Sequence, residues 1–120
     1  MLRGEFFEKI PYIKATIAWN NAVQTVTFVL DTGFTGDFQV TADIARDLGL
    51  EIIGVVPTRI ANGSIISMPI AVALTSMEGI TEHTEVMISE GVPLAGIGFL
   101  EKFEYKAIID CKEKTVVLQR

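Results

Sequence analysis

Apolar and polar positions alternate near the start of the chain, as expected for a half-buried β-strand. The segment at residues 12–19 places its apolar side chains at every second position: Ile13, Ala15, Ile17 and Trp19. A second run at residues 24–30 is rich in β-branched and aromatic residues, and Asn20-Asn21 between the runs favours a turn. The pattern therefore predicts a β-hairpin whose second strand ends at Leu30.

One helix is predicted in the first half of the chain, directly after a short strand at residues 38–40. The Thr41 hydroxyl can cap its N-terminus, Ile44 and Leu48 share one face, and Gly49 suits the stop position. These signals bound a helix of about two turns.

Further strand-like runs follow the helix, with turn residues between neighbours. They span residues 52–60, 65–75, 84–88, 105–110 and 115–119. Ala61-Asn62-Gly63-Ser64 joins the first two, because an Asn-Gly pair accepts the positive φ angles of a tight hairpin turn. Residues 99–103 predict a short helical turn. Many short strands at regular spacing indicate an all-β fold, a compact barrel or sandwich, in a single domain over residues 1–120.

Composition and charge narrow the classes of partner. The 120 residues are 49% hydrophobic, and the single cysteine, Cys111, is expected to be a small apolar filler in a strand. Fifteen acidic and ten basic residues give a net charge of −5, which repels nucleic acid and anionic lipid. No apolar run approaches the roughly 20 residues of a spanning helix, and the N-terminal residues lack the apolar stretch of a secretion signal. We therefore expect a cytoplasmic protein that binds neither nucleic acid nor membranes.

An acidic residue occupies an unusual position at the end of the second predicted strand. Asp31 follows the apolar residues 28–30 and precedes Thr32-Gly33, with Gly36 further along the turn. A carboxylate at the edge of a core is costly unless it is paired or hydrogen bonded, and glycines keep its approach free of side chains. An aspartate here can also be a plain turn residue that accepts backbone hydrogen bonds. The triplet alone leaves both interpretations open.

The sequence gives only weak signals for a metal site or for a different catalytic site. Asp31, Asp37 and Asp110 match no ion-loop spacing, so no metal site and no cofactor are predicted. His83, the only histidine, lies in a polar stretch with no nucleophile nearby in the sequence, and no Gly-x-Ser-x-Gly motif occurs.

The segment FVLDTGFTG at residues 28–36 resembles the active-site loop of aspartic proteases, in particular the small retropepsin-like group of bacteria and archaea. Later elements resemble that group in the same order: a flap hairpin near residues 58–68, Leu94-Ala95-Gly96 before a short helix, and closing strands at residues 107–118. The resemblance covers nearly the whole chain. It implies a retropepsin-like closed β-barrel with one or two short helices.

The resemblance also implies an aspartic endopeptidase that acts as a homodimer on peptide or protein substrates. Two carboxylates that share one proton are needed to activate water, and each chain supplies one, so Asp31 is the implied catalytic residue. Thr32 would lock the two loops together, and Gly33 would leave room for the water. The implied substrate contacts are Phe34, Ala61, Asn62, Gly63, Ser64 and Gly96.

Two features depart from the retroviral members of this group. Those members carry an Asp two residues after the triplet's glycine and an Arg after the later glycine, whereas Thr35 and Ile97 stand here. This difference implies another, less ionic brace for the dimer. The flap also lacks the extra glycines of the retroviral members, as well as the tyrosine of pepsin-type enzymes. A second interpretation therefore stays open, in which the same fold is a peptide-binding or dimerisation module with little or no turnover.

Overall fold

The computed structural model describes residues 1–120, and strands make up most of it. The strands are β1 (Leu2–Arg3), β2 (Glu5–Phe7), β3 (Ile10–Trp19), β4 (Ala22–Leu30), β5 (Phe38–Val40), β6 (Gly54–Arg59), β7 (Ile65–Met77), β8 (Ile80–Ile88), β9 (Leu94–Ala95), β10 (Lys106–Asp110) and β11 (Thr115–Gln119). The helices are α1 (Ala42–Leu48) and α2 (Ile97–Lys102). Neither helix has the length and apolar character needed to cross a membrane.

Six strands close into a barrel. The larger sheet has the order β2-β3-β4-β9-β5-β8-β7-β6, and β3 also pairs with β7, so the ring β3-β4-β9-β5-β8-β7 returns to its start. The hairpin β6–β7 extends from this ring. A separate sheet, β1-β11-β10, joins the two ends of the chain. The all-β prediction is confirmed, and the closed barrel distinguishes it from a sandwich.

The first predicted hairpin is confirmed as β3–β4, with Tyr12 opposite Val29 and Trp19 opposite Ala22. Alternation places one face of β3 in the core, where Ile13 and Ile17 are each only 1% exposed. This hairpin delivers the chain to Asp31 at the end of a buried strand.

The helix α1 begins and ends where its capping residues predict. The Thr41 hydroxyl accepts a hydrogen bond from the Ile44 amide at 3.3 Å. Gly49 follows the helix in the left-handed region at φ 69°, and its amide donates to the carbonyls of Ala45 and Arg46.

A row of aromatic rings forms the centre of the core behind the turn after β4. Phe28, Phe38, Phe99 and Phe103 pack in sequence, with ring centroids 4.5, 5.0 and 5.4 Å apart. The first three are fully buried. Since Phe28 and Phe38 lie on either side of residues 31–37, these rings anchor both ends of that loop.

The hairpin turn between β6 and β7 differs from the expected form in one respect. The Ile60 amide donates to Ser64 O, and the Gly63 amide donates to Ile60 O, both at 2.9 Å. Only Gly63 has a positive φ, 88°. Asn62 instead uses its side-chain oxygen to accept from the Ser64 amide at 2.8 Å. The turn therefore has three residues between its paired ends, and only the glycine needs a left-handed backbone.

Other expectations are wrong or incomplete. Cys111 is exposed in the turn between β10 and β11 and does not fill a strand. The strand β8 begins at Ile80, before the predicted residue 84, because its polar first residues pair with the end of β7. The short strands β1 and β2 were not predicted, since their pairing partners rather than their own sequences define them.

One acidic side chain ties the N-terminus to the barrel. The N-terminal ammonium donates to Glu78 at 2.7 Å, and the Tyr105 hydroxyl donates to the same carboxylate at 2.6 Å. These hydrogen bonds, that of the ammonium first, lower the pKa of Glu78. Burial, followed by the contact with Glu78, raises the pKa of Tyr105. Both groups lie outside the loop at residues 31–37.

Candidate functional site

The loop at residues 31–37, here called the Asp31 loop, wraps around the end of β9. The strand β4 runs parallel to β9, with Leu30 opposite Ala95, and β5 returns antiparallel to it, with Phe38 opposite Ala95. The Asp31 amide donates to Ala95 O at 2.9 Å. Both ends of the loop are thus fixed to the same residue of β9.

The Asp31 carboxylate is half buried and held on one side only. Its Oδ1 atom accepts a hydrogen bond from the Gly33 amide at 2.9 Å, and the Phe34 amide donates to Asp31 O at 3.1 Å. Its Oδ2 atom has no hydrogen-bond partner within the chain and is not fully buried. One oxygen is therefore positioned by the backbone while the other is free to hold a proton or a water molecule.

The next two residues of the triplet are exposed. The Thr32 hydroxyl makes no hydrogen bond within the chain, whereas the adjacent Asp31 side chain accepts one. A Cβ atom at Gly33 would lie 3.2 Å from Asp31 Oδ1, so a larger residue there would crowd the carboxylate. The triplet presents one unpaired hydroxyl and one uncrowded carboxylate at the surface.

Two glycines pack behind the Asp31 loop. A Cβ at Gly96 would lie 2.4 Å from the carbonyl oxygens of Phe34 and Gly36, and one at Gly98 would lie 2.4 Å from Asp37 Oδ1. The Gly96 and Gly98 amides donate to Asp37 O and Gly36 O at 3.0 and 3.1 Å. Gly96 is buried and does not line a cleft. Its place in the structure is to let α2 approach the loop.

Two adjoining clefts lie between the Asp31 loop and the hairpin β6–β7. The one beside Asp31 has a volume of about 480 Å³, and the other about 580 Å³. The residues that line both are Gly33, Phe34, Thr58, Arg59 and Met87. A smaller cavity of about 140 Å³ lies among the N-terminal strands, and Asp31 does not line it.

The hairpin forms one wall of these clefts. The Thr58 hydroxyl lies 3.9 Å from Met87 Sδ on β8, which joins this wall to the barrel. Of the tip residues, only Ala61 lines a cleft, while Asn62, Gly63 and Ser64 are exposed beyond it. The structure therefore brings Asp31, Gly33, Phe34 and Ala61 together and leaves the rest of the tip at the rim.

Sequence reasoning missed the structural role of Asp37, which it weighed only as a metal ligand. Its buried carboxylate accepts from the Glu85 amide at 2.9 Å and from Lys102 Nζ at 2.8 Å. The same ammonium donates to His83 O at 2.9 Å. Within the chain, an ion pair thus ties the loop to β8 and α2. No group of three or more His, Cys, Asp or Glu side chains is placed to hold a metal ion.

We expect Asp37 and Lys102 to stabilise the fold as a coupled pair. Asp37→Ala should lower the free energy of unfolding by about 1–3 kcal/mol, because it leaves the Glu85 amide without an acceptor and the Lys102 ammonium without its counter-ion. Urea unfolding of Asp37→Ala, Lys102→Met and the double variant measures the coupling, with Lys112→Met as an exposed control. If the two single effects simply add, the pair does not hold the loop.

No protein-family model matches the chain, and no curated protein matches its sequence. Solved structures that are similar to it include two proteases. The EIAV protease, complexed with the inhibitor HBY-793, has a TM-score of 0.68 and 17% identity, over 85% of this chain and 95% of that chain. A retropepsin-like aspartic protease from Rickettsia conorii has a TM-score of 0.63 and 18% identity, over 98% of this chain and 87% of that chain.

This chain has a retropepsin-like fold. The predicted closed barrel with two short helices and a hairpin near residues 58–68 is confirmed. In this retropepsin-like fold, the turn after β4 carries Asp31, and the β6–β7 hairpin lines the same cleft. At 17% and 18% identity, these similarities show the fold but not the chemistry of the site.

Proposed function

We propose that this chain is an aspartic endopeptidase that hydrolyses peptide bonds as a homodimer. The observation that carries the proposal is the Asp31 carboxylate, which lines a cleft with Oδ1 held by the Gly33 amide and Oδ2 unpartnered. An aspartate that only stabilises a turn needs the hydrogen bond to Oδ1 and nothing more. A carboxylate that must handle a proton needs the second oxygen free.

One Asp31 is insufficient for this chemistry, so the proposal requires a second chain. Two carboxylates about 3 Å apart cannot both ionise, and they share one proton. The ionised member takes a proton from a water molecule held between them, while the protonated member hydrogen bonds the scissile carbonyl oxygen. Water then attacks the carbonyl carbon without a covalent intermediate. A two-fold axis through an isologous interface would supply the second carboxylate from the same position of the partner.

The exposed residues of the triplet have roles in this dimer. The Thr32 hydroxyl, which has no partner within its own chain, would hydrogen bond the partner's loop across the axis. Gly33 would leave space for the water beside the Asp31 carboxylate, since a Cβ at this position would lie 3.2 Å from Oδ1. Both roles are consistent with the exposure of these residues.

The substrate would lie extended in the two clefts, along the β6–β7 hairpin. Main-chain hydrogen bonds to a hairpin supply affinity, and alternate side chains of the peptide enter pockets that supply selectivity. Phe34 lines both clefts and Ala61 lines the one beside Asp31, so both would contact the peptide. The exposed backbone of Asn62, Gly63 and Ser64 would close over it from the tip. Buried Gly96 would act only by positioning the loop.

A second candidate is a peptide-binding or dimerisation module on the same fold. The hydrogen bond from the Gly33 amide to Asp31 Oδ1 is also the contact that a structural turn makes. This observation therefore fits the module as well as the enzyme. Such a module would use the clefts and the interface without turnover. A cytoplasmic location, a single domain and the absence of a nucleic-acid partner stay predictions for either candidate.

Light scattering and peptide cleavage separate the two candidates. We expect a dimer of the 13.1 kDa chain that cleaves unstructured peptides, with the highest rate at acidic or mildly acidic pH because one carboxylate must be protonated. A folded dimer that binds peptides and leaves them intact between about pH 3 and pH 7 would favour the module. A protein that stays monomeric while it cleaves would overturn the shared site.

A further inference from the structure

One basic side chain faces the clefts that would hold the peptide. Arg59 ends β6 next to the hairpin tip and lines both clefts. No other lysine, arginine or histidine lines either of them. The other charged residues of the lining are acidic, Asp31 and Glu85.

The Arg59 guanidinium has no acidic partner. The three ion pairs of the chain involve other groups, although the net charge is −5 and acids are abundant. Its one hydrogen bond within the chain runs from Nη1 to Gly63 O at 3.1 Å. A guanidinium carries five N–H donors, so most of them remain available at the wall of the clefts.

A carboxylate is the group that these free donors fit best. The planar fork of a guanidinium binds a carboxylate through two parallel hydrogen bonds, and this charge-assisted pair is stronger than a neutral one. The shared lining also includes the apolar side chains of Phe34 and Met87. A peptide in these clefts would therefore meet one cation beside apolar side chains, with Asp31 and Glu85 as the only acidic groups of the lining.

We propose that Arg59 makes this site selective for peptides that carry an Asp or Glu side chain near the scissile bond, next to apolar residues. This inference rests on the proposed endopeptidase function and adds the class of substrate to it. Arg59 contacts the substrate's carboxylate and sets specificity, whereas Asp31 carries out the chemistry.

The hydrogen bond from Arg59 to Gly63 O is compatible with a purely structural role for this side chain, as an alternative to substrate recognition. Arg59 could serve only to hold the hairpin turn through the Gly63 carbonyl. In that case its loss would affect all peptides alike, because the tip closes over every substrate. Recognition of a carboxylate predicts an effect that depends on the charge of the peptide.

Paired peptides that differ only by Glu against Gln at each position around the cleavage site test the proposal. We expect the wild-type protein to favour one Glu peptide by about tenfold or more in kcat/KM, since hydrogen bonds to charged groups are the stronger ones. Arg59→Gln should bring this Glu-to-Gln ratio to about one, and Arg59→Glu should favour a Lys peptide instead. Arg46→Gln, an exposed change on α1 outside both clefts, should keep the wild-type ratio.

The outcomes separate this inference from the proposed function. Equal cleavage of Glu and Gln peptides by the wild type would overturn the selectivity and leave the endopeptidase standing. A loss in Arg59→Gln that is equal for both peptides would assign Arg59 to the hairpin turn. If no peptide is cleaved, the proposed endopeptidase function is wrong. Binding of the same Glu and Gln peptides, measured by calorimetry, then tests the selectivity by itself. Tighter binding of Glu peptides that Arg59→Gln abolishes supports it, and equal binding contradicts it.

Discussion

Asp31→Asn is expected to reduce peptide cleavage by about 10²–10⁴-fold, because the amide cannot take the proton from the attacking water. The fold should survive the change. The Asn side-chain oxygen can still accept from the Gly33 amide, as Asp31 Oδ1 does at 2.9 Å. The half-buried position also loses a charge, which removes a desolvation cost without opening a cavity.

Cleavage rates and thermal unfolding of the same preparation check this expectation. Asp47→Asn is the matched control, because Asp47 is exposed on α1 and makes no ion pair or side-chain hydrogen bond. It should retain wild-type activity and stability. Rapid proteolysis by Asp31→Asn would remove this carboxylate from the mechanism, and unfolding of the variant would make Asp31 a structural residue.

Gly96→Ala is expected to lower both stability and activity. The new Cβ would lie 2.4 Å from the carbonyl oxygens of Phe34 and Gly36, so the Asp31 loop or α2 must move. Forced rearrangement of a packed site typically costs about 1–3 kcal/mol. A displacement approaching 1 Å at the reacting groups can reduce the rate by about 10²-fold. We therefore expect a folded, destabilised protein with a strongly reduced kcat.

Gly54→Ala provides the comparison for this variant. A Cβ at Gly54 meets no atom within 4 Å, and its φ lies outside the left-handed region. Urea unfolding should therefore give nearly wild-type stability for Gly54→Ala and a lower value for Gly96→Ala. Cleavage assays under conditions where both are folded then measure the effect on the site. Wild-type stability and kcat in Gly96→Ala would mean that α2 does not set the position of the loop.

Local signals in the sequence predicted those elements whose own residues determine them. Alternating burial in β3 appears as alternating polarity in the sequence, because the period of a strand is two residues. The helix α1 has its limits at Thr41 and Gly49, where the sequence predicts them, since each residue supplies its own capping contact. The Asp31 turn follows from the glycines and the preceding buried strand.

Long-range contacts account for what the sequence did not predict. The strand β1 has two residues and exists because it pairs with β11 at the other end of the chain. Asp37 is satisfied by Lys102, which lies 65 residues later. A signal for Asp37 was present, since it directly precedes the buried strand β5, where a charge needs a partner.

The candidate site was predicted in part. The sequence singled out Asp31 and Phe34, which line the same cleft in the structure. It placed the whole hairpin tip over the substrate, yet only Ala61 of the four tip residues lines a cleft. Arg59 was not considered, because its side of the β6–β7 hairpin depends on how that hairpin lies against the barrel. Such placement is a tertiary property.

Mixing wild-type and Asp31→Asn chains tests the shared site most directly. After the two are unfolded and refolded together, only dimers of two wild-type chains would contain both carboxylates. Activity per wild-type chain is expected to fall to about one half in an equal mixture and to about one tenth with a ninefold excess of the variant. The same mixtures made with Asp47→Asn, whose chains are active, should keep the wild-type activity per total chain. Activity per wild-type chain that stays constant as Asp31→Asn is added would contradict the account, because each chain would then carry a complete site.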